Sequence, residues 1–358
     1  MLGGLSACYL KTNQSYRRKK MNSRERVMAA LNLQEPDRVP FADYVDNIIK
    51  QKIMGTTEID EAEFANKIGM DAIYFADYST PLFCKNHYGD EAKAYGLTGE
   101  PEFIGEGLIR TEKDLDKIIL PDPHDEIFYD PAKRFMEKYH GKNLAIYAVL
   151  RPFGMFNTIF SMPMMDFAFA LRDNLGLINT MMDIFIEWNL IIIEKLQGLG
   201  IDFIIAYNDM AFKSGPLISL QDFREIFLPK MKIVAEAIKI PWAFHSDGDL
   251  SLVMEDLLTL GMNAVNPFEP PVMSLKTAKE KWGDQICLWG NIDLIHTLPY
   301  GTVEEVEAEV KQRIKEAGPG GGYICASANS VTGWCKIENI FAMTNAVKKY
   351  GRYPLNVN

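Results

Sequence analysis

The chain has 358 residues, 47% of them hydrophobic and 24% charged, with a net charge of −10 and a pI near 5.2. That length favours one large α/β domain with decorations, and the acidic balance excludes a broad basic face, so no nucleic-acid partner is expected. Five cysteines (Cys8, Cys84, Cys287, Cys325, Cys335) lie far apart without a CxxC pair, which gives no sign of a disulfide framework or cysteine zinc finger and fits a reducing, cytoplasmic setting.

The first 20 residues carry their charges after a short apolar part, the reverse of a secretory signal. They read as a disordered leader, with a natural start available at Met21, and residues 21–358 read as a single domain. "NSRERVMAALN" predicts a helix capped by Asn22, with Glu25 placed to reach back. Short apolar runs then mark strands at 71–78, 143–150, 202–209, 240–249, 264–269, 286–293 and 322–328. Amphipathic helices are expected at 219–239, 250–261, 274–283 and 303–318. Two stretches fall outside this rhythm. Residues 79–142, with several glycines and prolines, read as an excursion after the first strand, and 152–187 are loaded with methionine and phenylalanine. Such a segment is core, or else the wall of an apolar pocket. The apolar stretch 190–206 is interrupted by Glu194, Lys195 and Asp202, so no membrane span is expected.

Seven strands alternating with helices predict a parallel α/β fold. No GxGxxG opens a helix after the first strand, and polar residues recur at the strand ends: Asp77, Arg151, Asp209, His245, Asp247, Glu269, Asn291, Asp293 and Asn329. In a (β/α)₈ TIM barrel those ends converge on one mouth, whereas in an open sheet they spread out. The expected architecture is therefore a TIM barrel with an N-terminal extension and an insertion after the first strand.

In "FHSDGD", His245 and Asp247 are two apart on a strand end and share one face. An imidazole and a carboxylate so placed can bind a divalent metal or move a proton, or can simply hold each other for structure. Asp209 ends the preceding strand and Glu269 the following one, which completes a candidate catalytic cluster of His245, Asp247, Asp209 and Glu269. The plainer readings are a loop or capping carboxylate for Asp209, a lysine-paired one for Glu269, and a helix cap for Asp293. Cys325 reads as buried packing, and "GPGGG" at 318–322 as a turn rather than a phosphate loop.

"MNSRERVMAALNLQEPDRVPF", "GPLISLQDFREIFLPKMKIV", "FHSDGD", "WGNIDLIHTLPYGTVEEVEAEVKQRIKEAGPGGGYI" and "ENIFAMTNAVKKYGRYP" together resemble the uroporphyrinogen decarboxylase superfamily, over about residues 21–354. The resemblance implies a (β/α)₈ barrel and one of two chemistries. Its decarboxylases bind substrate carboxylates with an early arginine, but "VPFADYVDNII" has no arginine after Arg38 and the expected mouth is acidic, which disfavours a polycarboxylate tetrapyrrole. Its corrinoid-dependent methyltransferases work with a corrinoid protein as partner, and members that methylate thiols hold zinc through an HxC pair and a later cysteine. The matching positions here are His245, Asp247 and Asn329, so a metal set of these three would be a stronger Lewis acid than a thiolate site.

That departure points to removal of a methyl group from an ether or amine, an aryl methyl ether above all. The implied substrate-binding residues are Tyr78, Arg151, Phe153, Phe156, Trp289 and Asn291. Zinc is an optional cofactor and a homodimer is left open. A decarboxylase of a small aromatic acid and a non-catalytic ligand-binding member are the alternatives.

Overall fold

Asn22 Oδ1 accepts the Glu25 N–H at 2.8 Å while Glu25 Oε2 accepts the Asn22 N–H at 2.9 Å, so the helix Ser23–Leu31 begins with the expected capping box. Its buried face of Val27, Ala30 and Leu31 joins the cluster that fills the barrel interior. The structure, a computed structural model, describes residues 20–76, 78–79, 82–83, 106–270 and 272–356. Residues 1–19 of the expected leader, Asp77, Cys8 and Cys84 lie outside the described residues.

The barrel strands are β1 (Tyr44–Val45), β2 (Ala72–Phe75), β3 (Ala145–Leu150), β4 (Phe203–Tyr207), β5 (Trp242–His245), β6 (Ala264–Asn266), β7 (Cys287–Ile292) and β8 (Tyr323–Ser327). Strands β2 to β8 form one parallel seven-stranded sheet in sequential order. The chain leading into β1 fills the eighth position. Phe41 bridges in parallel to Cys325 on β8, whose N–H donates to Pro40 O at 2.9 Å, and on the other side Asp71 N–H donates to Phe41 O at 2.7 Å. Tyr44 and Val45 pair with Ser330 and Val331 just beyond β8. Proline removes a ladder donor at position 40, and the Asp71 side chain takes the Phe41 N–H at 2.8 Å, so this strand closes the barrel by a bridge and not a full ladder. The strand that the sequence pattern marks first is consequently the second of eight, and the excursion at 79–142 follows that second strand.

Alternate residues point inward. Ala72 and Tyr74, Ala145 and Tyr147, Phe203 and Ile205, Ala243, Ala264, Cys287 and Trp289, Ile324 and Ala326 make one buried cluster. Tyr147 stacks on Phe203 at 4.7 Å and meets Trp289 edge-on at 6.0 Å. This aromatic layer plugs the barrel. The next inward positions, toward the strand C-termini, carry the polar groups.

A buried ion network ties the closing segment down: Asp71, with no exposed surface, binds Arg26 at 2.6 Å and Arg38 at 2.8 Å, and Arg26 also binds Asp37 at 2.7 Å. The methionine- and phenylalanine-rich segment forms helices Met155–Ser161, Met164–Asp173 and the start of Leu175–Gly198. The last is long and apolar enough to cross a membrane by length and composition, and buries Met181, Met182, Phe185, Ile186, Ile192 and Ile193 in the barrel's outer core.

Candidate functional site

The backbone ladder continues past the strand ends and carries the mouth residues into register. Asn208 N–H donates to His245 O at 2.8 Å, and Ser246 N–H to Asn266 O at 3.1 Å. Side chains then bridge neighbouring strands. Asp247 N–H donates to Asp209 Oδ1 at 2.9 Å, and Gly248 N–H to Glu269 Oε2 at 2.8 Å. Gly248 has φ +85°, and a Cβ there would lie 2.5 Å from Ala211 O, so only glycine lets the turn between β5 and the next helix approach the loop after β4.

His245 ends β5 and is buried. Its ring stacks on Tyr207 of β4 with centroids 4.4 Å apart, and its Nδ1 lies 2.7 Å from Asn266 Oδ1 of β6. Its Nε2 is buried without a hydrogen-bond partner among the described residues and lies 3.8 Å from Asp247 Oδ1. One ligand atom from each of Asp209, His245 and Asp247 falls within 4.8 Å of the others. A buried nitrogen lone pair aimed at two carboxylates is a donor set that fits a divalent metal of borderline hardness, zinc included.

Burial pushes the His245 imidazole below its ordinary pKa, with Asp209, Asn266 and Glu269 pulling the other way, so it is neutral at pH 7. Burial, with the charges of Asp209 and Glu269, pushes the Asp247 carboxyl up to about 8. In the metal-free protein this favours the protonated form of Asp247. Tyr207 donates to Asp209 Oδ2 at 2.6 Å, and burial together with Asp209 raises its pKa far above the ordinary phenol value.

The structure thus brings His245, Asp247, Asp209 and Glu269 together. Asn329 reaches the same place in a different role: its Nδ2 donates to both Asp247 oxygens at 2.8 Å and its Oδ1 accepts from Ser330 Oγ. With both polar ends engaged it orients Asp247, and Asp209 takes the third position in the possible metal set. Arg151 lies over the Phe156 and Tyr207 rings at 5.4 and 5.6 Å, which places Arg151 and Phe156 at the mouth. Asn291 is buried on β7, its Oδ1 without a partner among the described residues.

Three residues expected to hold substrate are engaged elsewhere. Tyr78 packs among Phe75, Phe128 and Tyr129, and its hydroxyl donates to Phe128 O and accepts from Ala132 N–H, both at 3.1 Å. Phe153 packs against Trp242 and Phe244 in the outer core. Trp289 is in the aromatic plug, its Nε1 donating to Ala42 O at 2.8 Å. Asp293 accepts the Ile295 N–H at 2.6 Å as a local turn, and Cys325 is buried with its thiol pushed up to about 12 by desolvation. Sequence reasoning missed Tyr207 and Asn266. The usable signal was position: Tyr207 is two residues before Asp209, and Asn266 ends the strand next to His245.

The uroporphyrinogen decarboxylase (URO-D) family model matches residues 94–350. A uroporphyrinogen decarboxylase of Chlorobium phaeovibrioides is 26% identical over 228 residues, 59% of this chain and 60% of that protein. A methylated-thiol–coenzyme M methyltransferase of Methanosarcina mazei is 26% identical over 161 residues, 41% of this chain and 42% of that protein. The chain therefore spans about 60% or less of the length of these two relatives. A methyltransferase structure from Methanosarcina mazei superposes with a TM-score of 0.71 at 20% identity, over 92% of this chain and 99% of that one, and shows the same fold. With the barrel, the mouth cluster and a family match over most of its length, this chain belongs to the uroporphyrinogen decarboxylase family.

Proposed function

We propose that the protein moves a methyl group from a small methylated substrate, an aryl methyl ether by first choice, to a corrinoid carried on a partner protein. The observation that carries this reading is the mouth cluster of one neutral imidazole and three acids, with no thiolate among them. A substrate with many carboxylates would meet Asp209, Asp247 and Glu269 there, which disfavours a tetrapyrrole. The methyltransferase among the relatives supports the methyl-transfer branch.

Phenolate leaves readily only if its oxygen is protonated or bound to a cation as the methyl departs. Asp209, His245 and Asp247 would hold a zinc ion, and the ion would supply Lewis-acid polarisation of that ether oxygen. Asp247 is held by Asn329 and its protonated form is favoured by burial and the neighbouring acids, so it can deliver a proton to the departing oxygen where no cation is bound. Tyr207 fixes both Asp209 and the imidazole plane. The Arg151 guanidinium, held over the Phe156 and Tyr207 rings, would offer its plane to an aromatic ring.

A second reading, decarboxylation of a small aromatic acid, is favoured by the decarboxylases among the relatives. One experiment separates the two: the purified protein is incubated with aryl methyl ethers and a reduced corrinoid, and in parallel with aromatic acids alone. Phenol formation that needs the corrinoid and is lost in His245→Ala supports methyl transfer. Carbon dioxide release without corrinoid replaces it with the second reading, and neither product refutes both.

A further inference from the structure

We infer that Asn266 is a positioning residue that fixes His245 in its Nδ1–H tautomer and thereby turns a bare Nε2 lone pair toward Asp209 and Asp247. The tautomer follows from hydrogen-bond logic alone. Asn266 Nδ2 lies 3.3 Å from Trp289 O, and a carbonyl only accepts, so the amide nitrogen of Asn266 faces β7 and its Oδ1 faces the imidazole. An amide oxygen also only accepts, so the 2.7 Å contact to His245 Nδ1 requires the proton on Nδ1. The neutral ring then has no proton on Nε2, and Nε2 is the atom that lacks a partner among the described residues. An Nε2–H would have had Asp247 Oδ1 as its acceptor, and the 3.8 Å separation is too long for that bond.

Register makes this arrangement robust. His245 is paired directly with Tyr207 on one side and Asn266 on the other, so the ring is stacked from β4 and hydrogen-bonded from β6. The indole of Trp289 is itself anchored on Ala42 O at 2.8 Å. The carbonyl that turns Asn266 belongs to the β7 backbone, so the relay runs from that strand through Asn266 to the imidazole. Its use in holding a metal rests on the reading proposed above, whereas the tautomer does not.

The test uses the full chain with ¹⁵N-labelled histidine rings and no metal, with the His245 signals assigned by their loss in His245→Gln. Long-range proton–nitrogen correlation spectra are expected to show a protonated Nδ1 and a bare Nε2 in the wild type. Asn266→Asp, which keeps an acceptor, is expected to preserve that pattern, and Asn266→Leu to give a mixed or inverted tautomer. A zinc titration of the same proteins is expected to weaken about 10- to 100-fold in Asn266→Leu, the usual cost of losing a group behind a metal-ligating histidine. A wild type with Nε2–H overturns the inference, as does an unchanged pattern in Asn266→Leu. If Asn266→Leu does not fold, the wild-type spectrum decides, with Asn266→Asp as the conservative check. A wild type with the expected tautomer that binds no zinc upholds the positioning role and overturns the metal reading.

Discussion

A metal ion entering the cluster must displace the proton of Asp247, so its affinity should climb with pH in a way this structure sets. With the carboxyl pushed up to about 8, simple proton competition predicts roughly 80-fold tighter zinc binding at about pH 8.5 than at about pH 6. The Asp247 side chain is 35% exposed, so solvent screening makes that gain an upper bound. His245 adds little to this slope, because its pKa is lowered by burial and its proton is already off over most of the range. The perturbation is therefore pH in the wild type, set beside Asp247→Asn, which has no proton to lose. Competition against a chromophoric chelator reads the affinity, and calorimetry in two buffers counts about one proton released per zinc near pH 6.5. An affinity that is flat with pH in the wild type would refute the argument, and so would a slope that survives in Asp247→Asn.

The other predictions concern stability and the plug. Asp71→Ala takes the carboxylate from Arg38, leaves Arg26 only Asp37 and frees the Phe41 N–H, so urea unfolding should show a loss of about 3–5 kcal/mol; a loss under about 1 kcal/mol would mean the network does not hold the barrel shut. Asp43 is buried, accepts from Ser327 N–H at 2.7 Å and Oγ at 2.9 Å, and is pushed up to about 7 by desolvation. A carboxyl raised on folding contributes stability that is full below its unfolded pKa, about 4, and is lost as pH rises through about 7, roughly 4 kcal/mol in all. Asp43→Asn should flatten that part of the stability profile, and an unchanged profile would show that Asp43 is not its source. Trp289→Ala should cost about 3–5 kcal/mol through the cavity it leaves yet keep the same zinc content as the wild type, measured by elemental analysis. Loss of zinc from a folded Trp289→Ala protein would place the indole in the site after all.

Much of the barrel was written in local pattern. Each of the seven apolar runs contains a strand, because a parallel strand buried on both faces needs a continuous apolar sequence. The two-residue spacing of His245 and Asp247 was enough to put both on one face, and the alternation that fills the plug extends to them without a break. The closing strand escaped notice because Pro40 interrupts it and one bridge with a side-chain bond from Asp71 replaces its ladder.

What tertiary structure alone decided is who stands beside whom. Tyr207, His245 and Asn266 are neighbours only through the registers of β4, β5 and β6, and those registers are set by the shear of the closed barrel, which no single strand encodes. The same cause moved Asp209 into the possible metal set and left Asn329 to orient Asp247. Tyr78 and Phe153 follow their strands at once in sequence, yet the chain has already turned outward there, and each ring is claimed by the outer core. Sequence supplied the residue types and their faces; barrel closure chose their partners, because hydrogen bonds across strands join residues that the chain keeps 20 to 40 positions apart.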